Sequence, residues 1–417
     1  KNDSGHTPII DGGYDDSLMY IAGGREVMPL PGPEHLPVGK WASLVQLEAN
    51  GVIFDGFTVQ NSAGRGIFAA ATSDVVVRNC RVDFIVEVGI GTSGGAVPTD
   101  RLVIENNVLT RASVQFLYPT YLGVSAAIAV GGSRDVIVRN NLVAYIWGEG
   151  IDVHRGAIRT IVEGNIVHTC VSMHIYIQHA KDNIIRNNIV YHTGMQSFKW
   201  RGSKKIGDGI TIADETESAS FIHSSGDSIY NNIVIGTFIL LNIGNGNSTE
   251  NTQLKKSYIG YNTFVGGPGT HLGIVMNDNV VDPNRQHTDS IIENNIITNI
   301  PIDKPIGVAG TKLNGVLFRN NLWDRLPPAN MRGNGDRIGN PVLVNPTAAI
   351  PNPFPDHTAT IDPRNYQLTS NSNLAFSMAS VGSSAIGLTP PSIRNDFFGS
   401  RAALVHWRSN RQWTNAA

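Results

Sequence analysis

Residues 136–143 read VIVRNNLV, and variants of this phrase return along most of the chain. They are VVVRNCRV at 75–82, LVIENNVL at 102–109, TIVEGNIV at 160–167 and NIIRNNIV at 183–190. SIYNNIVI at 228–235, YIGYNTFV at 258–265, SIIENNII at 290–297 and VLFRNNLW at 316–323 continue the series, and VIFDGFTV at 52–59 is an earlier relative. Aligned, one column reads Phe57, Cys80, Asn107, Asn141, Asn165, Asn188, Asn232, Asn262, Asn295 and Asn321, so eight of ten are asparagine. The shortest spacings, 23 and 24 residues, set the unit of a repeat architecture, and the longer ones carry insertions.

A second phrase lies between copies of the first: RGIFA, VGIGT, AAIAV, EGIDV, MHIYI, DGITI, LGIVM and PIGVA. Two or three short β-branched strands per 22–24 residues, without helical periodicity, predict one coil of a parallel β-helix per repeat. The expected architecture is all-β, a single-stranded right-handed parallel β-helix of about 10–11 coils, its strands stacked ~4.8 Å apart. Inward asparagines at one bend would form a ladder in which each amide bonds those above and below. A β-propeller repeats at about 40–50 residues and a sandwich has no single-residue column, so both fit less well.

Composition agrees. The 417 residues are 41% hydrophobic with 44 glycines, and only 16% are charged, which suits many turns and few surface helices. A net charge of −2 gives no field toward nucleic acid or an anionic membrane, and no apolar run approaches a membrane span. Cys80 and Cys170 fall three coils apart, at least ~14 Å, which predicts two small core residues and no bridge. The chain opens at Lys1, as a processed or trimmed chain does, which leaves secretion open. The repeat stops after Trp323 and proline becomes frequent, which predicts a β-helix over residues 1–325 and a C-terminal capping segment of the same domain over 326–417.

Set on its isoleucine, the second phrase aligns Ile90, Ile128, Ile151, Ile175, Ile210, Ile274 and Ile306. The following residue should point outward: Gly91, Ala129, Asp152, Tyr176, Thr211, Val275, Gly307. The preceding residue is read as outward too, which would put His174 beside Tyr176. GEGIDVHRG at 148–156 and HIYIQHA at 174–180 then occupy consecutive coils, with Asp152 about 5 Å from Tyr176 and His154 beside Gln178. Elsewhere this face is mostly Gly, Ala, Ser or Thr, a smooth floor for a chain-like ligand. The longest repeat, 44 residues from Asn188 to Asn232, carries SFKWRGSKKIGDG, with Lys199, Trp200, Arg201, Lys204 and Lys205, and then Asp214 and Glu215. Loops beside a rigid floor supply the walls of clefts. His154, His174, Tyr176, Lys199, Arg201 and Asp152 are therefore the catalytic candidates. Gln178, His179, Trp200, Lys204, Lys205, Arg155 and Asn277 are candidates for substrate binding, and Asp152, Asp214 and Glu215 for a metal.

The RNN turns, the EGIDVHR and HIYIQHA strands and the tail YQLTSNSNLAFSMASVGSSAIGLTPPSIRNDFFGSR resemble those of secreted right-handed parallel β-helix proteins, the pectate-lyase-like and alginate-lyase-like enzymes and several glycoside hydrolases. The resemblance covers Pro8 to about Gly399 and is specific for architecture. It implies a secreted or periplasmic protein acting on a polysaccharide, without a matched lysine–arginine or paired-aspartate catalytic motif.

Three functions compete. A lyase on a uronate-containing polysaccharide needs the C6 carboxylate neutralised, by Arg201 or by Ca²⁺ on Asp152, Asp214 or Glu215. It also needs a base (His154, His174 or Lys199) and an acid (Tyr176); a uronate C5-epimerase would share the base and neutraliser. A glycoside hydrolase needs two carboxyls at about 5–9.5 Å. The sequence register spaces Asp152 and Asp214 by roughly 14 Å, unless Glu149 or Asp208 faces the cleft. A non-catalytic carbohydrate-binding solenoid would show aromatic platforms, yet aromatics total 7% and Tyr176 stands alone in the outward column.

Overall fold

The structure is a computed structural model that describes residues 7–13, 42–92, 97–117, 125–195, 198–200, 205–215, 222–244, 254–278, 287–311, 313, 315–351, 361–366 and 369. The chain divides into two compact units, Lys1–Ala180 with Gly194–Gly207, and Lys181–Thr193 with Asp208–Ala417.

In the first unit each coil contributes three short strands. One coil holds Val103–Glu105, Val108–Ala112 and Ala126–Gly131. The next holds Ile137–Arg139, Leu142–Ile146 and Glu149–His154. Each strand pairs in parallel with its counterpart one coil on, so three parallel sheets wrap one interior. The second unit repeats the plan, for example in Ser228–Tyr230, Ile233–Ile235 and Ile239–Ile243. The fold is a right-handed parallel β-helix, as the asparagine column and the β-branched phrases predict.

Alternation fills the interior. Ile104, Val138 and Val162 from one sheet, Leu109, Val143 and Val167 from the second, and Ile128, Ile151 and Ile175 from the third are all fully buried. Each such side chain contributes roughly 1.5–3 kcal/mol by leaving water.

The asparagine pairs divide two tasks. The first member, at Asn79, Asn106, Asn140, Asn187, Asn231, Asn294 and Asn320, takes φ between 54° and 57°, the left-handed bend that asparagine tolerates best after glycine. The second member points inward. Asn107 Nδ2 donates to Asn141 Oδ1, and Asn141 Nδ2 to Asn165 Oδ1, each at 3.0 Å. In the second unit Asn188, Asn232, Asn262, Asn295 and Asn321 repeat the contact, again at 3.0 Å. Each amide nitrogen also reaches a backbone carbonyl, as Asn262 reaches Ile229 O. Asp336 ends the column, its Oδ1 accepting from the Asn321 backbone N–H at 2.8 Å.

Two details depart from the sequence alignment. The strand Ile239–Ile243 supplies a rung with Leu241 in the isoleucine column, between Ile210 and Ile274. At the last rung Ile274 pairs with Gly307, one residue later than expected. The shift follows from packing. A Cβ on Gly307 would lie 2.9 Å from the Met331 sulfur, and the fully buried Met331 fills the space an isoleucine would take. Parallel pairing also passes residue 325, because Arg337–Ile338 joins Leu322–Trp323. The tail that carries part of the family resemblance lies outside the described residues, except Tyr366 and Thr369.

Cys80 and Cys170 are buried free thiols. Burial pushes the Cys80 thiol up to about 11 and that of Cys170 upward as well, so both act as core side chains.

Candidate functional site

Two neighbouring strands of the first unit, Glu149–His154 and Met173–Gln178, carry the residues of interest. They pair in the expected register: Ile151 with Ile175, Asp152 with Tyr176, Val153 with Ile177, His154 with Gln178. The isoleucines and Val153 enter the core with no exposed surface, which turns Asp152, His154, Tyr176 and Gln178 to the outer side of the sheet. That side is covered: Asp152 is 4% exposed and Tyr176 2%. His154 is the accessible member, with 17% of its side chain exposed.

Asp152 and His154 form a dyad. The carboxylate Oδ2 lies 2.8 Å from His154 Nδ1. An ionised carboxylate can only accept, so Nδ1 carries the proton and Nε2 presents its lone pair. Asp152 Oδ1 is buried without a hydrogen-bond partner among the described residues, a costly state in a structural aspartate. The imidazole extends over the preceding coil, where a Cβ on Gly131 would lie 2.8 Å from Nε2.

His174 does not stand on this face. It is fully buried, and its Nε2 accepts the Cys170 N–H at 3.4 Å. The residue before the isoleucine lies within the strand, in Met173–Gln178 and Glu149–His154, but breaks its alternation by facing the core. A Cβ added at the equivalent Gly66, Gly89 or Gly150 would meet Val82, Leu109 or Val167 of the core. His174 therefore belongs to the interior, which corrects its expected place on the outer face beside Tyr176.

The floor is also less smooth than its glycines suggest. The space beside Gly91 is taken by Val88 Cγ1 and the Phe68 ring, and that over Gly131 by His154. These glycines make room for side chains of the protein itself.

The remaining candidates disperse. Gln178 and His179 are buried, and the exposed Arg155 stands in a left-handed bend at φ 49°. Phe198 anchors the start of the insertion, stacked on Trp147 at 5.1 Å. Trp200 and Lys205 follow, with Trp200 N–H donating to Lys205 O at 2.8 Å. Trp200 is 39% exposed, while Lys199 and Lys205 are half-buried. Arg201 and Lys204 lie outside the described residues.

In the second unit Asp214 is fully buried, accepting from Ser224 Oγ at 2.6 Å and Ser224 N at 3.0 Å, with His223 Nδ1 at 3.2 Å. Glu215 is half-buried beside it. Asn277, half-buried, donates its amide to Gly244 O at 2.9 Å. Calcium takes six to eight oxygen ligands. The Asp214 oxygens accept from Ser224 and contact His223, and Asp152 has Oδ1 without a partner among the described residues.

Sequence reasoning missed the residues beneath the dyad. Inside the coil, Thr92 Oγ1 accepts the Gly131 N–H at 2.9 Å, Ser133 Oγ donates to Gly131 O at 2.9 Å, and the two hydroxyls lie 2.8 Å apart. A hydroxyl residue on the inward, apolar face of a strand, as at Thr92, was the available signal.

Comparison with known proteins supports the architecture. A family model described as "Right handed beta helix region" matches residues 39–143. No curated protein matches. Among solved structures, the Dettilon tailspike protein is 13% identical over 66% of this chain and 55% of its own, with a TM-score of 0.43. PfbA, a surface adhesin of Streptococcus pneumoniae, is 11% identical over 66% of this chain and 70% of that one, with a TM-score of 0.42. The alginate lyase AlyF-OU02 is 14% identical over 74% of this chain and 66% of that one, with a TM-score of 0.40. The chain spans about half the length of the tailspike it matches. The architecture itself rests on the three parallel sheets and on the family model: the fold is a right-handed parallel β-helix.

Proposed function

We propose that the protein is a polysaccharide-active enzyme of the extracellular or periplasmic space that opens uronate-containing chains by β-elimination. The observation that carries the reading is the Asp152–His154 dyad on the outer side of the sheet, with Tyr176 paired to Asp152 one coil on. His154 Nε2 takes the C5 proton of the uronate. The electron pair forms the C4–C5 double bond, and the glycosidic oxygen leaves C4 with a proton from Tyr176. Asp152 holds the tautomer and stabilises the imidazolium that forms, as a carboxylate does behind a catalytic histidine. Lys199 and Lys205, with Arg201, are the cations assigned to the C6 carboxylate. No step is assigned to calcium.

The test is incubation with a panel of uronate and neutral polysaccharides, following the ultraviolet absorbance of unsaturated products together with reducing ends. Absorbance that vanishes in His154→Gln supports elimination. Reducing ends without absorbance would replace it with hydrolysis, and neither signal would leave a binding protein. Activity should survive EDTA.

A further inference from the structure

We infer that Gly131, locked from inside the coil by Thr92 and Ser133, is the positioning residue that sets the orientation of His154. The inference rests on the reading of His154 as the base. The imidazole and Gly131 belong to adjacent coils, paired in register, and His154 O accepts the Gly132 N–H at 3.1 Å. Outside the coil, the ring lies where any side chain on residue 131 would stand: an added Cβ falls 2.8 Å from Nε2 and 3.1 Å from Cδ2.

Beneath it, Thr92 Oγ1 accepts the Gly131 N–H, and Thr92 and Ser133, their hydroxyls 2.8 Å apart, both lie within hydrogen-bond reach of Gly131 O at 3.0 and 2.9 Å. Both backbone polar groups of Gly131 are thereby fixed by buried hydroxyls, Thr92 4% and Ser133 0% exposed. A buried polar network satisfied at every member is rigid. Asp152 pins one edge of the imidazole and the fixed glycine sets the height of the other, so Nε2 has one position. Catalysis by a base is sensitive to displacements of about 1 Å.

The experiment compares wild type with Gly131→Ala, Thr92→Val and Thr92→Ser in the full chain. Histidine is labelled with ¹⁵N, and the His154 resonances are assigned by their loss in His154→Gln. Wild type should show a protonated Nδ1 and an unprotonated Nε2 at pH 8. Gly131→Ala should shift this pair toward averaged tautomers and lower kcat at least roughly tenfold with KM within about twofold. Thr92→Val should move both readouts the same way by less, and Thr92→Ser, which keeps the hydroxyl, should restore them.

A folded Gly131→Ala with wild-type nitrogen shifts and kcat would overturn the inference. If Gly131→Ala does not fold, the Thr92 pair decides: equal spectra for Val and Ser would overturn it. Full turnover in His154→Gln would instead remove His154 as the base, while the nitrogen shifts still report whether Gly131 orients it.

Discussion

The same coil shows two polar surfaces built on opposite principles. At the inner bend, Asn141 repeats a neighbour's chemistry, and its amide hydrogens and carbonyl all find partners. On the outer side, Asp152 and His154 repeat nothing. The equivalent residues one coil back are Ala129 and Gly131, and Asp152 Oδ1 has no partner among the described residues. Satisfied and periodic groups stabilise the fold. Among the described residues, unpartnered buried oxygens also occur at Asp100, Asp227 and Asp324, so what sets Asp152 apart is an aperiodic carboxylate paired with a partly exposed histidine, and such departures from the repeat are where function is expected.

The sharpest break of this contrast is His154→Gln or Asp152→Asn. Either should lower turnover roughly a hundredfold to ten-thousandfold while thermal unfolding stays near wild type; an unchanged rate places the chemistry elsewhere. The complementary substitution, Asn262→Ala, should leave the dyad intact yet cost at least about 3 kcal/mol. It strips partners from Asn232 N, Asn232 Nδ2, Asn295 Oδ1 and Ile229 O together. Denaturant unfolding measures it, and a loss below about 1 kcal/mol would show that the amides bond equally well without their column.

Asp227 tests a third condition, a buried acid in a polar column. Asn183 N–H and Nδ2 both donate to its Oδ1, but burial first, then Asp214 and Asp182, push its carboxyl up to about 7. Between about pH 4 and 7 the folded chain holds a proton that the unfolded chain has released, so stability falls as pH rises through that interval and is level above it. Asp227→Asn keeps the acceptor and removes the ionisation. It should raise the melting temperature more at pH 8 than at pH 4.5, and an equal gain at both would refute the assignment.

The smallest effect comes from lengthening the ladder. Cys80 stands in the asparagine column, donating only its backbone N–H to Asn107 Oδ1. Cys80→Asn should add about 1 kcal/mol by supplying a second donor; a destabilised variant would show that the smaller side chain is needed there.

Much of this was legible beforehand. The recurring asparagine fixes the register wherever it occurs, so the pairing of Asp152 with Tyr176 followed from counting. What counting could not show is a break in the alternation within a strand. His174 sits one residue before a strand isoleucine, and alternation carried it outward; the glycines at Gly66, Gly89 and Gly150 were the sign that this position faces the core. At the final rung, too, alignment on Ile306 failed because Met331, remote in sequence, had taken the space. Periodic information survives in a single chain, whereas a contact made by one distant side chain leaves no trace in the period.

Asp336 gives the ladder an end as well as a last member. Its Oδ1 receives the Asn321 backbone N–H, and its Oδ2 the Gly333 N–H at 3.0 Å and the Trp323 indole at 3.2 Å. Asp336 accepts in every one of these bonds, so the run of amide-to-amide hydrogen bonds ends here. A stack that can grow by adding identical layers is a seed for fibres. Exchanging one nitrogen for oxygen at Asp336 removes the donor that a further identical layer would have to continue.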